Sequence, residues 1–514
     1  MYWKQNIILL VYPLFLSFIL EVCIHEIEFS TFLNLAENIL FTIITFLVIN
    51  QASNFKLGNK IAALIIVFFY IFFLIETGLY LLFQTRMNAS YIYVILSTNY
   101  DEVKEFSLVY YSNNLIWLLL FFIPIKSFFS KKTHQQVKVK SINVIVSLVF
   151  IFIMLIFLKH SKLIVYNLPY ISIKSYIQYQ EQIESIKEFN ITKKNIETKS
   201  VTENDVIVVI IGESTTSKHM GIYGYKRNTT PKLKELSDSL IVYKNVISPH
   251  VFTTGSMLDI LTLSNYENQK TSNTLIDYLK NAKYQVFWLS NQRAVGIHDN
   301  IISQLASAAD ESLFLAYNDY RNTTLYDEVL LPILDEKLKV KGKKVIFLHL
   351  IGSHYDYRKR YPKGFDTFFS KIKNNKTQII DKYDNTILYN DFIVSEVIKI
   401  VSKREEKSAV IYFSDHGEEV YDVADFFGHF EDKPTSTMYE VPFLVYMSPA
   451  FEKPTDFLID KTRVFMLDDF PHSLTHFMGI ESELLKKNRS IFSSKFVKRK
   501  RVILNNKNFD SIFR

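Results

Sequence analysis

The hydrophobic pattern changes character along the chain. Up to about residue 160, apolar residues come in long, nearly unbroken runs. Beyond residue 205 they come in short β-branched runs separated by amphipathic stretches, and the segment between is polar and mixed. The long runs lie at residues 6–24, 32–50, 61–83, 115–129 and 142–158. A helix needs roughly 20 residues to cross about 30 Å of hydrocarbon. The third run meets that outright, the second is broken by Glu37 and several Asn, and the fourth is short enough to need tilt or flanking residues. The succession predicts a five-helix transmembrane domain over residues 1–160. No small-residue cleavage site follows the first run, where Glu21-Val22-Cys23-Ile24-His25 stands instead, so it reads as an uncleaved helix.

Lys and Arg in the loops set the orientation. The 51–60 loop carries Lys56 and Lys60, and the loop after the fourth run carries Lys126, Lys131, Lys132, Lys138 and Lys140. The loop at 25–31 has neither Lys nor Arg. The N-terminus is therefore expected in the cytoplasm, and five crossings put the rest of the chain on the far side, the periplasm. Glu21 and Glu76 fall inside apolar runs. Carboxylates there are costly; placement near a helix end is the simpler reading, and neither is given a role.

Residues 161–204 read as an interfacial helix (166–187, Tyr and Ile mixed with charge) followed by a polar linker (190–204). From residue 205 the pattern is α/β. Strand-like runs at 206–211, 284–290, 344–351, 409–414 and 442–446 alternate with helical stretches such as 274–281 and 389–402. That alternation predicts a parallel sheet covered by helices on both faces, with ligands beyond the C-terminal strand ends.

Composition narrows the classes. There are 43 Phe and 31 Tyr against 13 Gly and 12 Pro, which excludes a collagen-like or disordered chain. The single cysteine, Cys23, excludes a disulfide framework. A net charge of +7 over 514 residues, with no dense basic stripe, gives no nucleic-acid partner. Mean hydropathy is only +0.08 because it averages two unlike halves.

The chemistry-bearing residues gather at predicted strand ends. Glu213 follows the first strand, and Asp415-His416-Gly417-Glu418 follows the fourth. Carboxylate oxygen with imidazole nitrogen suits Zn²⁺ or Mn²⁺ better than Ca²⁺. His354 lies just beyond the third major strand, His429 sits in a Gly-His-Phe stretch, and His349, within a strand, reads as a buried core histidine. A nucleophile is wanted. There is no Gly-x-Ser-x-Gly elbow, but Thr253 or Thr254 would stand at the start of a helix near 257–263, where free N–H groups favour anions. A plain Thr cap is an equally good reading of these two.

These residues resemble a known family. Residues 212–231 (GESTTSKHMGIYGYKRNTTP), Ser414-Asp415-His416-Gly417-Glu418, Gly428-His429, Gly352-Ser353-His354, Arg360-Tyr361-Pro362 and the Tyr383–Asp391 stretch look like the signatures of inner-membrane phosphoethanolamine transferases, of the alkaline phosphatase/sulfatase superfamily. The resemblance implies an α/β sandwich of that superfamily over residues 205–514. It implies one zinc held by Glu213, Asp415, His416 and a nucleophilic threonine, with a second metal possible. It also implies phosphate-binding roles for His354 and His429, and lipid-substrate contacts from a segment containing Asn99 and Glu102. Thr253 is taken over Thr254 because it directly follows the strand-like Val251-Phe252, which suits a helix N-cap, and because its Thr-x-x-Ser spacing to Ser256 resembles glycerophosphate polymerases. The implied reaction moves phosphoethanolamine from phosphatidylethanolamine to lipid A, the lipopolysaccharide core or another envelope acceptor, through a covalent phosphothreonine-type intermediate. Without disulfides or a Cys-Gly-Thr-Ala-Thr context, the chain looks closer to core-modifying members than to lipid A-modifying ones. The rival readings are a membrane-anchored sulfatase or phosphodiesterase, a glycerophosphate transferase and a non-catalytic envelope protein.

Overall fold

The computed structural model describes residues 2–24, 27, 29–52, 58–83, 113–124, 149, 169, 173, 176–177, 196–268, 273–292, 301–315, 325–370, 374–431 and 433–513. The chain forms two compact units, Met1–Glu181 and Gln182–Arg514.

In the first unit the first three apolar runs form α1 (Tyr2–Ile24), α2 (Phe29–Ala52) and α3 (Gly58–Phe83). Among the described residues, Thr31–Ala52 and Lys60–Leu82 are long and apolar enough to cross a membrane, and Ile7–Cys23 is a shorter apolar helix. Only a third of each long span is buried. Ile39, Ile43 and Val48 on α2 and Leu64, Val67, Phe68, Ile71 and Ile75 on α3 stand exposed, the reverse of a helix packed into a water-soluble core. At the fourth run, Asn113–Phe122 forms a 3-10 helix, whose rise of about 2.0 Å per residue stretches a short segment further than an α-helix does; residues 125–129 of that run lie outside the described residues. The fifth run (except residue 149) and most of 166–187 lie outside the described residues.

Glu21 and Glu76 are not at a wet helix end. Both are buried, and one amide joins them: Asn34 Nδ2 lies 3.2 Å from Glu21 Oε2 and 3.0 Å from Glu76 Oε1. Asn38 Nδ2 and the Tyr80 hydroxyl also donate to Glu76 Oε1, at 3.0 and 2.6 Å. The three helices thus share one hydrogen-bonded polar cluster, as buried polar groups require.

The second unit is built on a seven-stranded sheet. In chain order its main strands are β1 (Val206–Gly212), β2 (Leu240–Val242), β3 (Gln285–Ser290), β4 (Glu311–Phe314), β5 (Lys344–His349) and β6 (Ser408–Ser414). A two-stranded hairpin, β7 (Glu419–Val420) with β8 (Phe427–Gly428), precedes the last sheet strand, β9 (Phe443–Met447). The helices that cover the sheet are α4 (Thr253–Leu261), α5 (Leu275–Asn281), α6 (Leu330–Leu338), α7 (Asn375–Ser402) and α8 (Phe470–Phe477). The order across the sheet is β2-β9-β6-β1-β5-β3-β4.

Strand periodicity divides β1 between two cores. Ile207, Val209 and Ile211 pack with Met257, Ile260, Leu275, Phe470 and Leu474 from α4, α5 and α8. Val206, Val208 and Ile210 pack with Leu330, Leu334, Ile387 and Val397 from α6 and α7. The sheet is not wholly parallel, as the alternation predicted. From β6 across to β4 neighbouring strands are parallel, but β9 runs antiparallel to both β6 and β2. After β6 the chain turns back through the hairpin and a 3-10 turn (Ser436–Met438) with no long crossover helix, so it re-enters the sheet reversed.

The polar stretch before β1 is anchored. Lys199 and Ser200 pair with Glu481 and Ile480, and Asn204 Nδ2 donates to the Glu452 carbonyl at 3.0 Å.

Candidate active site

The site lies beyond the C-terminal ends of three adjacent parallel strands, β6, β1 and β5. Gly212 is in register with Ser414, and the Asp415 N–H donates to the Gly212 carbonyl at 3.1 Å. Glu213 and Asp415 therefore leave neighbouring strands side by side. On the other flank the chain leaving β5 presses onto the same point. Gly352 has φ +52, and a Cβ on it would lie 2.8 Å from both the nitrogen and the carbonyl oxygen of Glu213. Beyond β6, a Cβ on Gly417 would lie 2.1 Å from the Thr437 carbonyl oxygen. Only glycine permits either approach.

Glu213, Asp415 and His416 are all buried, and one ligand atom from each falls within 4.8 Å of the others. His416 Nε2 is 3.1 Å from Glu213 Oε1 and 3.6 Å from Asp415 Oδ2. Its other nitrogen, Nδ1, lies 2.8 Å from the Gly417 carbonyl oxygen. A carbonyl only accepts, so Nδ1 holds a hydrogen and Nε2 is free to ligate when the ring is neutral. Asp415 Oδ1 receives the Ser214 and His416 N–H groups, while Asp415 Oδ2 is buried with no hydrogen-bond partner. Burial and the Glu213 charge push the Asp415 carboxyl up to about 8. Burial works against ionising Glu213 too, but the hydrogen bond and charge of His416 hold it well below the usual carboxylate range. The cluster thus keeps a proton where a divalent cation would replace it. An orphaned carboxylate oxygen beside a carboxylate and an imidazole is a donor set that fits zinc.

Thr253 completes the group. Its hydroxyl donates to Glu213 Oε2 at 3.0 Å and lies 3.4 Å from His416 Nε2. Thr253 is the first residue of α4, not its N-cap as the sequence suggested. The Ser256 N–H bonds the Phe252 carbonyl at 3.1 Å, which makes Phe252 the cap, and no side chain caps this helix. The Thr253 oxygen is turned to Glu213 instead.

The second group of possible metal ligands is His416, Glu418 and His429. His429 Nδ1 is 2.6 Å from Glu418 Oε2, and the His416 and His429 rings lie 4.4 Å apart. Glu418 Oε1 accepts from the Tyr357 hydroxyl at 2.6 Å. His354 stands on the loop after β5, partly exposed and beside Tyr355. His349 is a core residue: Nδ1 meets Ser290 Oγ at 3.1 Å, and burial pushes its pKa down to about 4. Asn99 and Glu102 lie outside the described residues.

Two contacts to Glu213 have no counterpart in the sequence reading. Gln292 Nε2 donates to Glu213 Oε2 at 3.3 Å and to the Leu350 carbonyl at 2.9 Å. Its only sequence signal is its place just past β3. Ser214 Oγ donates to Glu213 Oε1 at 2.9 Å from a backbone at φ +53, a strained conformation that no local motif announces.

Residues 205–480 match the sulfatase family. The chain is 27% identical over 535 residues to phosphoethanolamine transferase EptC of Escherichia coli O18:K1:H7, spanning 96% of this chain and 92% of the relative. Among solved structures it resembles the C-terminal periplasmic domain of EcEptC from Escherichia coli in complex with Zn. The identity is 30% and the TM-score 0.58, over 62% of this chain and 95% of that one. The fold extends to the integral membrane protein lipooligosaccharide phosphoethanolamine transferase A of Neisseria meningitidis, with TM-score 0.68, 19% identity and coverage of 96% and 97% of the two chains. That likeness of fold takes in both the α/β domain and the N-terminal helical segments.

Proposed function

The chain belongs to the sulfatase family and, within it, with the phosphoethanolamine transferases. From that premise we propose that it moves phosphoethanolamine from phosphatidylethanolamine to lipid A, the lipopolysaccharide core or another envelope acceptor, with Thr253 as the nucleophile. The observation that carries this reading is the Thr253 hydroxyl, 3.0 Å from Glu213 and 3.4 Å from His416 at the start of α4.

A zinc ion held by Glu213, Asp415, His416 and the Thr253 oxygen would supply Lewis acidity that lowers the hydroxyl pKa. Glu213 Oε2 accepts the hydroxyl hydrogen and fixes the direction of the threonine oxygen. The uncapped N–H groups of α4 face the developing phosphoryl charge. His354 and His429 are assigned to the phosphoryl oxygens, with Glu418 holding His429 through Nδ1 and leaving Nε2 for the substrate. The Thr253 oxygen forms a bond to phosphorus as the bond to the diacylglycerol oxygen breaks, and diacylglycerol leaves with a proton. An acceptor hydroxyl or phosphate then attacks the same phosphorus, and the threonine oxygen departs. Any second metal would rest on Glu418 and His429 in place of the phosphoryl contact of His429, because His416 Nε2 is committed to the first ion and its Nδ1 to the Gly417 carbonyl, and Asn99 and Glu102 are proposed to contact the lipid donor.

The proposed setting is the inner membrane, with five crossings over residues 1–160, an interfacial segment and linker at 161–204, and a periplasmic catalytic domain from 205. The loop lysines and the exposed apolar faces of α2 and α3 support it. The test is mass spectrometry of the enzyme incubated with phosphatidylethanolamine, then with envelope glycolipids. A phosphoethanolamine adduct that passes to a glycolipid is expected. Release of free phosphoethanolamine with no glycolipid modified would make the chain a hydrolase instead.

A further inference from the structure

His219, in the segment that follows β1, takes no part in this chemistry. Yet it is 1% exposed and lies between two carboxylates. Its Nδ1 is 2.5 Å from Asp384 Oδ1, and its Nε2 is 3.0 Å from Asp422 Oδ2. Ionised carboxylates only accept, so both ring nitrogens donate and the ring is an imidazolium. Burial opposes the charge, but hydrogen bonds to Asp384 and Asp422 outweigh it and raise the pKa to about 9. The ring is further enclosed by Tyr225 and Tyr383, at centroid distances of 4.5 and 5.1 Å. Behind it, Asp384 Oδ2 takes Arg227 Nη1 at 2.7 Å and the Tyr225 hydroxyl at 3.1 Å.

The two carboxylates belong to different parts of the domain. Asp384 sits within α7, a 28-residue helix. Asp422 sits at the tip of the β7–β8 hairpin, where the Asp422 and Val423 N–H groups both bond Glu419 Oε1, at 2.5 and 2.9 Å. Glu418 enters this hairpin and His429 leaves it. Its ladder has only two residue pairs, Phe427 with Val420 and Gly428 with Glu419, and such short pairings are not stable alone. A second tie at the tip comes from Lys376, whose Nζ is 3.0 Å from Asp425 and 4.9 Å from the Tyr421 ring centroid. Its ion pair is on the surface, with side chains 47% and 88% exposed, and water and salt weaken it, while Thr437 Oγ1 donates to Glu419 Oε2 at 2.6 Å nearer the hairpin base.

We propose that His219 is a positioning residue: its imidazolium clamps the hairpin tip to α7 and thereby fixes Glu418 and His429 at the hairpin base. This rests on the transferase reading for its effect on rate, but not for the clamp itself. The test uses the full-length enzyme with His219→Gln, Asp422→Asn and, as a control on the exposed tie, Lys376→Met. In His219→Gln and Asp422→Asn, amide hydrogen exchange over 419–430 should quicken and bound zinc should match wild type. The kcat for transfer should fall tenfold or more, on the order expected when a reacting group is misplaced, with a smaller change in KM. Lys376→Met should leave all of these near wild type. Unchanged exchange in both variants would overturn the clamp, and faster exchange with unaltered kcat would overturn its positioning role. Zinc lost in step with activity would also overturn it, by reducing the histidine to general fold support. The exchange measurement needs no substrate, so a chain that transfers nothing would sink the transferase reading and still leave the clamp supported or refuted on its own.

Discussion

Gly352 lies against the backbone of Glu213 so closely that a Cβ on it would stand 2.8 Å from the Glu213 nitrogen and carbonyl oxygen. The contact locks the loop after β5 onto the end of β1. Gly352→Ala faces both this clash and a φ of +52, and should cost on the order of 2 kcal/mol or more. It should also displace Glu213 and lower zinc affinity. Thermal melting and a zinc titration on the purified variant check this; a wild-type affinity would show that the ligand keeps its place without the glycine.

Asp415→Ala and His416→Ala each remove one donor from the proposed four-ligand set and should abolish stoichiometric zinc. His354→Ala should keep the ion and lose activity, because its assignment is to the phosphoryl oxygens. Elemental analysis of the three variants decides between them, and full zinc occupancy in the first two would remove the metal assignment.

Thr253→Ala should end transfer at a stability cost of about 1 kcal/mol or less, since Thr253 does not cap its helix. Thr254→Ala should stay substantially active. Peptide fragmentation after incubation with phosphatidylethanolamine should place the adduct on Thr253. A modified Thr254 would move the nucleophile one residue on.

The strand ends made much of this site legible. The runs 206–211 and 409–414 read as buried parallel strands, within one residue of the observed Val206–Gly212 and Ser408–Ser414, and the residues that follow them had to share one sheet edge. The direction of β9 was not legible, because it depends on the path of residues 417–441, and no periodicity encodes that path. Leu240–Val242 and Glu311–Phe314 are short sheet-edge strands, too brief to show a pattern. Gln292 and Ser214 reach Glu213 through loop geometry and a positive φ. The meeting of Glu21 with Glu76 depends on how three helices are rotated, which the sequence of any one of them leaves open.

The His219 ion pairs give a pH dependence. The folded pKa of about 9 lies above the ordinary 6.5, so the contribution is fully present below pH 6.5. It declines as pH rises and is lost through pH 9, amounting to on the order of 3 kcal/mol. The groups facing the ring are Asp384 and Tyr383 from α7, Asp422 from the hairpin, and Tyr225, with Arg227 behind. Melting temperature should fall between pH 6.5 and 9 in wild type and flatten in His219→Gln. Equal slopes in the two proteins would contradict the assignment.

Reporter fusions test the topology. A fusion after Lys140 should be active only in the cytoplasm, and one after Thr202 only in the periplasm. The reverse pattern would put the catalytic domain on the wrong side.

The amide of Asn34 holds carboxylates from two other helices at once, and this bears on how the protein is made. A helix of this bundle released singly into lipid would carry a bare carboxylate or amide into hydrocarbon, at a cost of a few kcal/mol per group. α1, α2 and α3 are therefore best partitioned together. In the proposed membrane setting the three segments would enter the bilayer together, and a substitution at Asn34 should appear first as lost yield in the membrane, before any change in turnover.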